Sequence, residues 1–361
     1  MSATEPKRLL GLDAFRGFTM VMMIAEGFGL RYVREAPGLG PIAAQFTHID
    51  WNFHGWEMHF WDLIQPFFMF IVGAVMPVSF ARRWEQGEPW RKSLLHVLRR
   101  SALLILCGLV ARSVHANRPT VDLINVLAQI AFTYLVAFLI LRKPWQMQLG
   151  FAFGLLAVHW ALFQFAVTPG VQGPYVKDAN IGWFLDKVLL GKNWGGSYVT
   201  INCLSSAANT IFGVVTGQLL VSKMEEARKL RILIFVGIAA ILGGSLLDAG
   251  IPLNKKIWTA SFAIFSTGWT LLALALFHWI CDLRGKIAWA RLFLMVGANS
   301  IFIYLFHEIL GGWLGRTTLI FLWWSVDLWG PPGRMLNSIV AISLQCALCV
   351  WLYRRRIFFK L

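Results

Sequence analysis

Long apolar runs separated by short polar loops make up almost the whole chain. The runs are Leu9–Leu30, Trp61–Phe80, Leu94–Ala111, Val121–Leu141 and Trp145–Val167, then Tyr198–Val221, Leu230–Leu247, Ile257–Cys281, Leu292–Leu314 and Leu336–Tyr353. Each is close to the roughly 20 residues that a helix needs to cross a bilayer. They are continuously apolar, whereas barrel strands alternate apolar and polar positions. The pattern predicts an all-α polytopic membrane helix bundle of about ten transmembrane helices, folded as a single transmembrane domain over residues 1–361. Thr318–Trp329 is apolar but short and ends in Gly330-Pro331-Pro332-Gly333. It reads as an interfacial or re-entrant piece.

Composition agrees with this class: 57% of residues are hydrophobic and 14% charged, where soluble domains carry about 25%. The net charge of +15 raises the question of nucleic acid, and the placement of the charges answers it. Basic residues cluster in alternate loops: Lys7 and Arg8; Arg82, Arg83, Arg91, Lys92, Arg99 and Arg100; Arg142 and Lys143; Lys223, Arg228, Lys229 and Arg231; Arg284, Lys286 and Arg291; Arg354, Arg355, Arg356 and Lys360. That is about 21 on one side against about 11 on the other, so the positive-inside rule places both termini in the cytoplasm. An even number of spans satisfies this, and lipid rather than nucleic acid is the expected partner. No small-residue cleavage site follows the first run, which reads as a retained helix of a multi-pass inner (cytoplasmic) membrane protein. The five cysteines lie in or beside apolar runs and imply no disulfide framework. A homodimer is left open.

The same orientation sorts the awkward polar residues. Glu26, Asp62, Gln65, Asn125, Gln129, Asn202, Asn254, Lys255, Lys256, His307 and Glu308 all fall toward the outer face. Ionisable groups avoid lipid and line cavities or pair with one another, so an outward-open polar cavity is expected. Asp13 and Arg16 are the exception. They sit at the inner end of the first run, three residues apart, where they can pair for structural reasons. Two longer outer loops are expected, Arg31–Phe60 and Thr168–Ser197, the second containing Gly195-Gly196 and a short helix over Ile181–Leu190.

The densest chemistry lies in His48–Ser79, where a loop bearing His48, His54 and His59 runs into a helix opened by Asp62, Gln65 and Pro66. Capping alone accounts for an acid and a proline in a first turn. An aspartate beside an imidazole would also orient it as a general base. The histidine spacings of six and five do not match a helical H-x-x-x-H ligand pair, so no metal is expected. Asn299, Ser300, His307 and Glu308 in the ninth run are either a structural hydrogen-bond network or part of the site.

Several of these segments resemble a known family. They are L-D-A-F-R-G-F-T, the H-x-x-W at His48–Trp51, W-D-L-I-Q-P-F-F-M-F-I-V-G and I-G-W-F-L-D-K-V-L-L-G, then I-P-L-N-K-K-I-W-T-A-S and N-S-I-F-I-Y-L-F-H-E. In this order they resemble the membrane acyltransferases typified by heparan-α-glucosaminide N-acetyltransferase, bacterial homologues included. The resemblance implies transfer of an acetyl (acyl) group from cytoplasmic acetyl-CoA, a co-substrate, to an amino-sugar or other glycan acceptor on the outer face. It implies a catalytic histidine, His48 or His54, oriented by Asp62. The substrate-lining set would be Glu26, Trp51, Gln65, Gln129, Asn202, Lys255, Lys256, Asn299, Ser300, His307 and Glu308. The inner basic loops, Arg82–Arg100 above all, would draw the CoA phosphates. The chain departs from the family in three places. His48 to Asp62 is longer than usual; Ala25-Glu26-Gly27 stands where asparagine is common; Ala128-Gln129 replaces a Gln-Arg pair. The alternative is a proton- or ion-coupled small-solute transporter, in which the outer carboxylates and histidines serve coupling.

Overall fold

A computed structural model describes residues 9–359 apart from 36, 192 and 194–196. Lys7, Arg8, Gly195-Gly196 and Lys360 fall outside the described residues. Every apolar run carries helix. The elements are α1 (Leu10–Ala25), α2 (Gly40–Ala44), α3 (Ile64–Glu85), α4 (Trp90–Ala116), α5 (Val126–Ile140) and α6 (Trp145–Phe165). There follow α7 (Ile181–Leu190), α8 (Asn202–Val221), α9 (Glu226–Leu247), α10 (Ala260–Phe277), α11 (Arg291–Gly297), α12 (Ser300–Trp329) and α13 (Pro331–Arg354). Among the described residues, seven helices are long and apolar enough to cross a membrane, and eight if the bent pair α11–α12 forms one span. α5, with 15 residues, and α1, with 16, are shorter.

α3, α8 and α10 form the interior, while α4, α6, α9 and α13 surround them and expose leucine, phenylalanine and tryptophan outward. Such an outer surface suits a hydrocarbon solvent. The inner pair is held by close backbone approach. A Cβ on Gly73 of α3 would lie 1.8 Å from the Thr210 carbonyl oxygen, and one on Gly213 of α8 would lie 2.0 Å from that of Phe70. Small residues are what allow membrane helices to pack at this distance.

Helix boundaries differ from the apolar runs where polar side chains intervene. α5 starts at Val126 because Asn125 caps it, its side-chain oxygen accepting from Ala128 N at 2.9 Å. The preceding Asp122 accepts from Ile124 N and from the Arg112 guanidinium, and this keeps residues 121–125 out of the helix. The ninth run is not continuous: α11 and α12 meet at a 78° bend. Its corner residue, Asn299, is fully buried and has φ −120° and ψ 39°. Thr318–Trp329 is not a separate interfacial piece; it continues α12, which runs unbroken for 30 residues. The helix stops only at Gly330, whose φ of 61° precedes Pro331 at the start of α13.

Candidate functional site

Two 3-10 turns, Gly55–Glu57 and Phe60–Leu63, fold the loop before α3 back on itself. This brings His48 onto Asp62. His48 Nδ1 lies 2.9 Å from Asp62 Oδ1, and the Ile49 backbone N–H donates to Asp62 Oδ2 at 3.1 Å. Lys255, from the loop between α9 and α10, donates to Asp62 Oδ1 at 3.2 Å and sits 3.2 Å from His48 Nδ1. The Asp62 and Lys255 side chains are 1% and 5% exposed, whereas that of His48 is 50% exposed. A carboxylate can only accept, so Nδ1–H of His48 donates to Asp62, which leaves the Nε2 lone pair as the basic atom. Burial and then the Lys255 ammonium push the His48 imidazolium below the usual histidine range, against the pull of Asp62. Burial lowers Lys255 as well, with Asp62 opposing.

The three loop histidines therefore serve three different partners. His54 Nδ1 lies 3.0 Å from Asp248 Oδ2 just after α9, and His59 Nδ1 lies 2.9 Å from the Thr47 carbonyl. His48 is the histidine against Asp62, despite the longer spacing between them.

His48 lines a cavity of about 360 Å³ with Gln65, Gln129, Asn202, Tyr304 and Glu308. Gln65 Nε2 donates to Gln129 Oε1 at 2.6 Å, and Gln129 Nε2 donates to Ser206 at 2.8 Å, which fixes both amides. Asn202 Nδ2 donates to the Lys256 carbonyl at 2.6 Å and holds the loop that presents Lys255. Trp51 packs the loop before α3 against the one before α7: its indole donates to the Tyr175 carbonyl at 2.9 Å, and its ring lies against the cluster of Phe163, Ile181 and Ile257.

The expected single outer cavity is divided. Glu26 and His307 line a second one, of about 660 Å³, with Arg31, Arg316 and Gln345. His307 Nε2 lies 3.3 Å from Glu26 Oε1, and Nδ1 lies 3.2 Å from Gln345 Oε1. Successive helix residues point about 100° apart, so His307 turns away from His48 while its neighbour Glu308 borders both cavities.

Asn299 and Ser300 do not join either of these cavities. Asn299 Nδ2 donates to the Ile357 carbonyl at 3.1 Å, and its Oδ1 accepts from Phe359 N at 3.0 Å. Ser300 lines a third cavity, of about 520 Å³, whose wall includes Arg16, Arg83, His96 and Arg100. Arg16 also pairs with Asp13 at 3.1 Å. The buried Nε atoms of Arg16 and Arg100 have no hydrogen-bond partner among the described residues. Val126 and Tyr304 line both this cavity and the His48 cavity. Tyr304, Tyr198 and Arg112 are lining residues that sequence reasoning missed. The one available signal was helical spacing, which puts Tyr304 one turn before Glu308.

A sequence model of the heparan-alpha-glucosaminide N-acetyltransferase catalytic family matches residues 8–247, more than half of the chain. The chain belongs to this family. Two curated relatives are similar to it: the heparan-alpha-glucosaminide N-acetyltransferase of Mus musculus, 22% identical, and that of Homo sapiens, 23% identical. Both alignments cover 99% of this chain, but 61% and 60% of the relatives, so the chain spans about three-fifths of their length. The N-acetyltransferase family match includes His48, Asp62 and Asn202; Lys255, Tyr304, Glu308 and the α12–α13 hairpin lie beyond it.

Proposed function

We propose that this chain is a membrane acetyltransferase. It would take an acetyl group from acetyl-CoA at the basic end of the bundle and deliver it to an amine or hydroxyl of an amino-sugar or other glycan acceptor at the His48 end. The observation that carries this reading is that a cavity at the His48 end and a cavity at the basic end share Val126 and Tyr304 in their walls. Gln65 lines one and Arg83 the other, about 27 Å apart along α3 at about 1.5 Å per residue. The Arg82–Arg100 segment marks the Arg83 end as cytoplasmic. The guanidinium groups of Arg16, Arg83 and Arg100 in the wall of the basic-end cavity suit the phosphates of a CoA, which accept charge-assisted hydrogen bonds. The pantetheine arm then points along the bundle toward His48.

In this reading His48 Nε2 takes the proton from the acceptor amine or hydroxyl as its nitrogen or oxygen attacks the thioester carbonyl. The carbon–sulfur bond breaks, CoA leaves as a thiolate, and the imidazolium returns the proton to that sulfur. Asp62 holds the tautomer this requires. The family match weighs against the transporter alternative, as does the unequal chemistry of the two ends.

The test is transfer in proteoliposomes of defined orientation, with labelled acetyl-CoA on the basic-loop side and glucosamine on the other. Acetylated sugar is expected on the glucosamine side. His48→Ala should lower the rate by about 10²-fold or more, and His54→Ala by little. Full transfer in His48→Ala would sink the base assignment, and solute flux without CoA would support a transporter.

A further inference from the structure

The segment after α13 folds back against the bend between α11 and α12. Both polar atoms of the buried Asn299 side chain are spent on it, one on the Ile357 carbonyl and one on the Phe359 amide. The result is a fixed ring. Phe359 stacks on Phe302 with centroids 4.8 Å apart and planes 20° from parallel, yet it is still 48% exposed. One face is therefore covered by Phe302 and the ring retains open surface. Phe359 belongs to the wall of the same cavity as Arg16, Arg83 and Arg100.

A flat aromatic surface beside three guanidinium groups is suited to a purine bearing phosphates. The ring offers stacking, which every base accepts, and the cations offer charge-assisted bonds. An acyl chain or a pantetheine arm needs neither. We infer that Phe359 is the stacking platform for the adenine of the CoA donor, held in place by Asn299 and extending the Phe302–Phe359 stack by one ring. The inference rests on reading this cavity as the donor entrance. It assigns the nucleotide's seat to a residue outside the family match.

The experiment uses the purified full chain and 1,N6-etheno-CoA, whose ethenoadenine fluorescence is quenched by an aromatic ring stacked on it. Binding is followed separately, by retention of the labelled nucleotide. The wild type is expected to bind with quenching. Phe359→Leu keeps an apolar side chain of similar bulk, and should bind about tenfold more weakly, with no quenching at saturation. Phe359→Trp should keep both affinity and quenching. Wild-type binding without quenching, or a leucine variant that binds and quenches like the wild type, would overturn the stack and leave the donor entrance standing. A wild type that does not retain etheno-CoA would overturn the donor entrance and the stack together.

Discussion

Lys255 is almost free of water and has Asp62 and His48 both at 3.2 Å. Its charge does two things. It neutralises the buried Asp62 carboxylate, and it discourages a second positive charge on His48. Removing one partner of a buried pair strands the other, at about 3–5 kcal/mol, so Lys255→Met should lower the unfolding free energy by about that much in detergent. The effect on pH follows from the direction of the His48 shift. A lowered pKa means that the neutral, basic ring persists to lower pH. The acid limb of the acetyl-transfer rate should therefore lie below the ordinary histidine value of about 6.5, with the plateau reached by neutral pH. Lys256 adds to the depression and Asp62 opposes it. In Lys255→Met the limb should move toward higher pH; a limb that stays in place would exclude electrostatic control by Lys255. At this scale the sequence was informative about residue types and poor about partners. Asp62 and a histidine were legible together, because an acid opening an apolar helix needs company. Lys255 read only as a lining residue, since the loop before α10 carries nothing to show that it folds under Asp62.

Among the elements, α3 and α8 pack through close backbone approach at Gly73 and Gly213. Gly73→Ala would push a methyl group to within 1.8 Å of a backbone oxygen that cannot move alone. It should destabilise the bundle by about 3 kcal/mol, the upper part of the usual overpacking range. Gly150 of α6 makes the contrast, since a Cβ there meets nothing within 4 Å. Gly150→Ala should leave thermal stability unchanged or raise it by about 0.5–1 kcal/mol. Melting both variants in one detergent checks the pair; equal effects would mean that close approach of α3 and α8 is not what holds them. The apolar runs revealed these helices because hydrocarbon demands internal hydrogen bonding along each span. They did not reveal the 78° corner at Asn299. The residues around it, Gly297-Ala298-Asn299-Ser300, sit inside a run read as one span, and the partners that justify burying Asn299 are the Ile357 and Phe359 backbone groups, far along the chain.

At the scale of the molecule the two ends of α3 carry different chemistry, a carboxylate–imidazole pair at one and guanidinium groups at the other. Between them Val126 and Tyr304, which line both cavities, would form the waist of the proposed passage. Val126→Trp should close it. Etheno-CoA would still be retained at the basic end, while acetyl transfer to glucosamine across the bilayer would fall at least tenfold; parallel loss of binding and transfer would instead mean a collapsed entrance. The gathering of polar residues toward one end was readable from the order of loops along the chain. Its division into two cavities, and the third cavity at the basic end, was not. Those depend on which helices are neighbours, and periodicity says nothing about that. Arg16 shows the limit: its pairing with Asp13 follows from spacing, its place beside Arg83 and Arg100 only from packing.

A passage for a thioester arm is also a passage for protons. Each 100 mV across a membrane puts about 2.3 kcal/mol on an elementary charge, so a bundle open from end to end would discharge the cell that makes it. On the proposed reading Tyr304 would be the stopper, which an entering donor would displace with its own arm. One plug would then be exchanged for another at every turnover, and the cell's ion gradient would set the tolerance on how long the waist could stand empty.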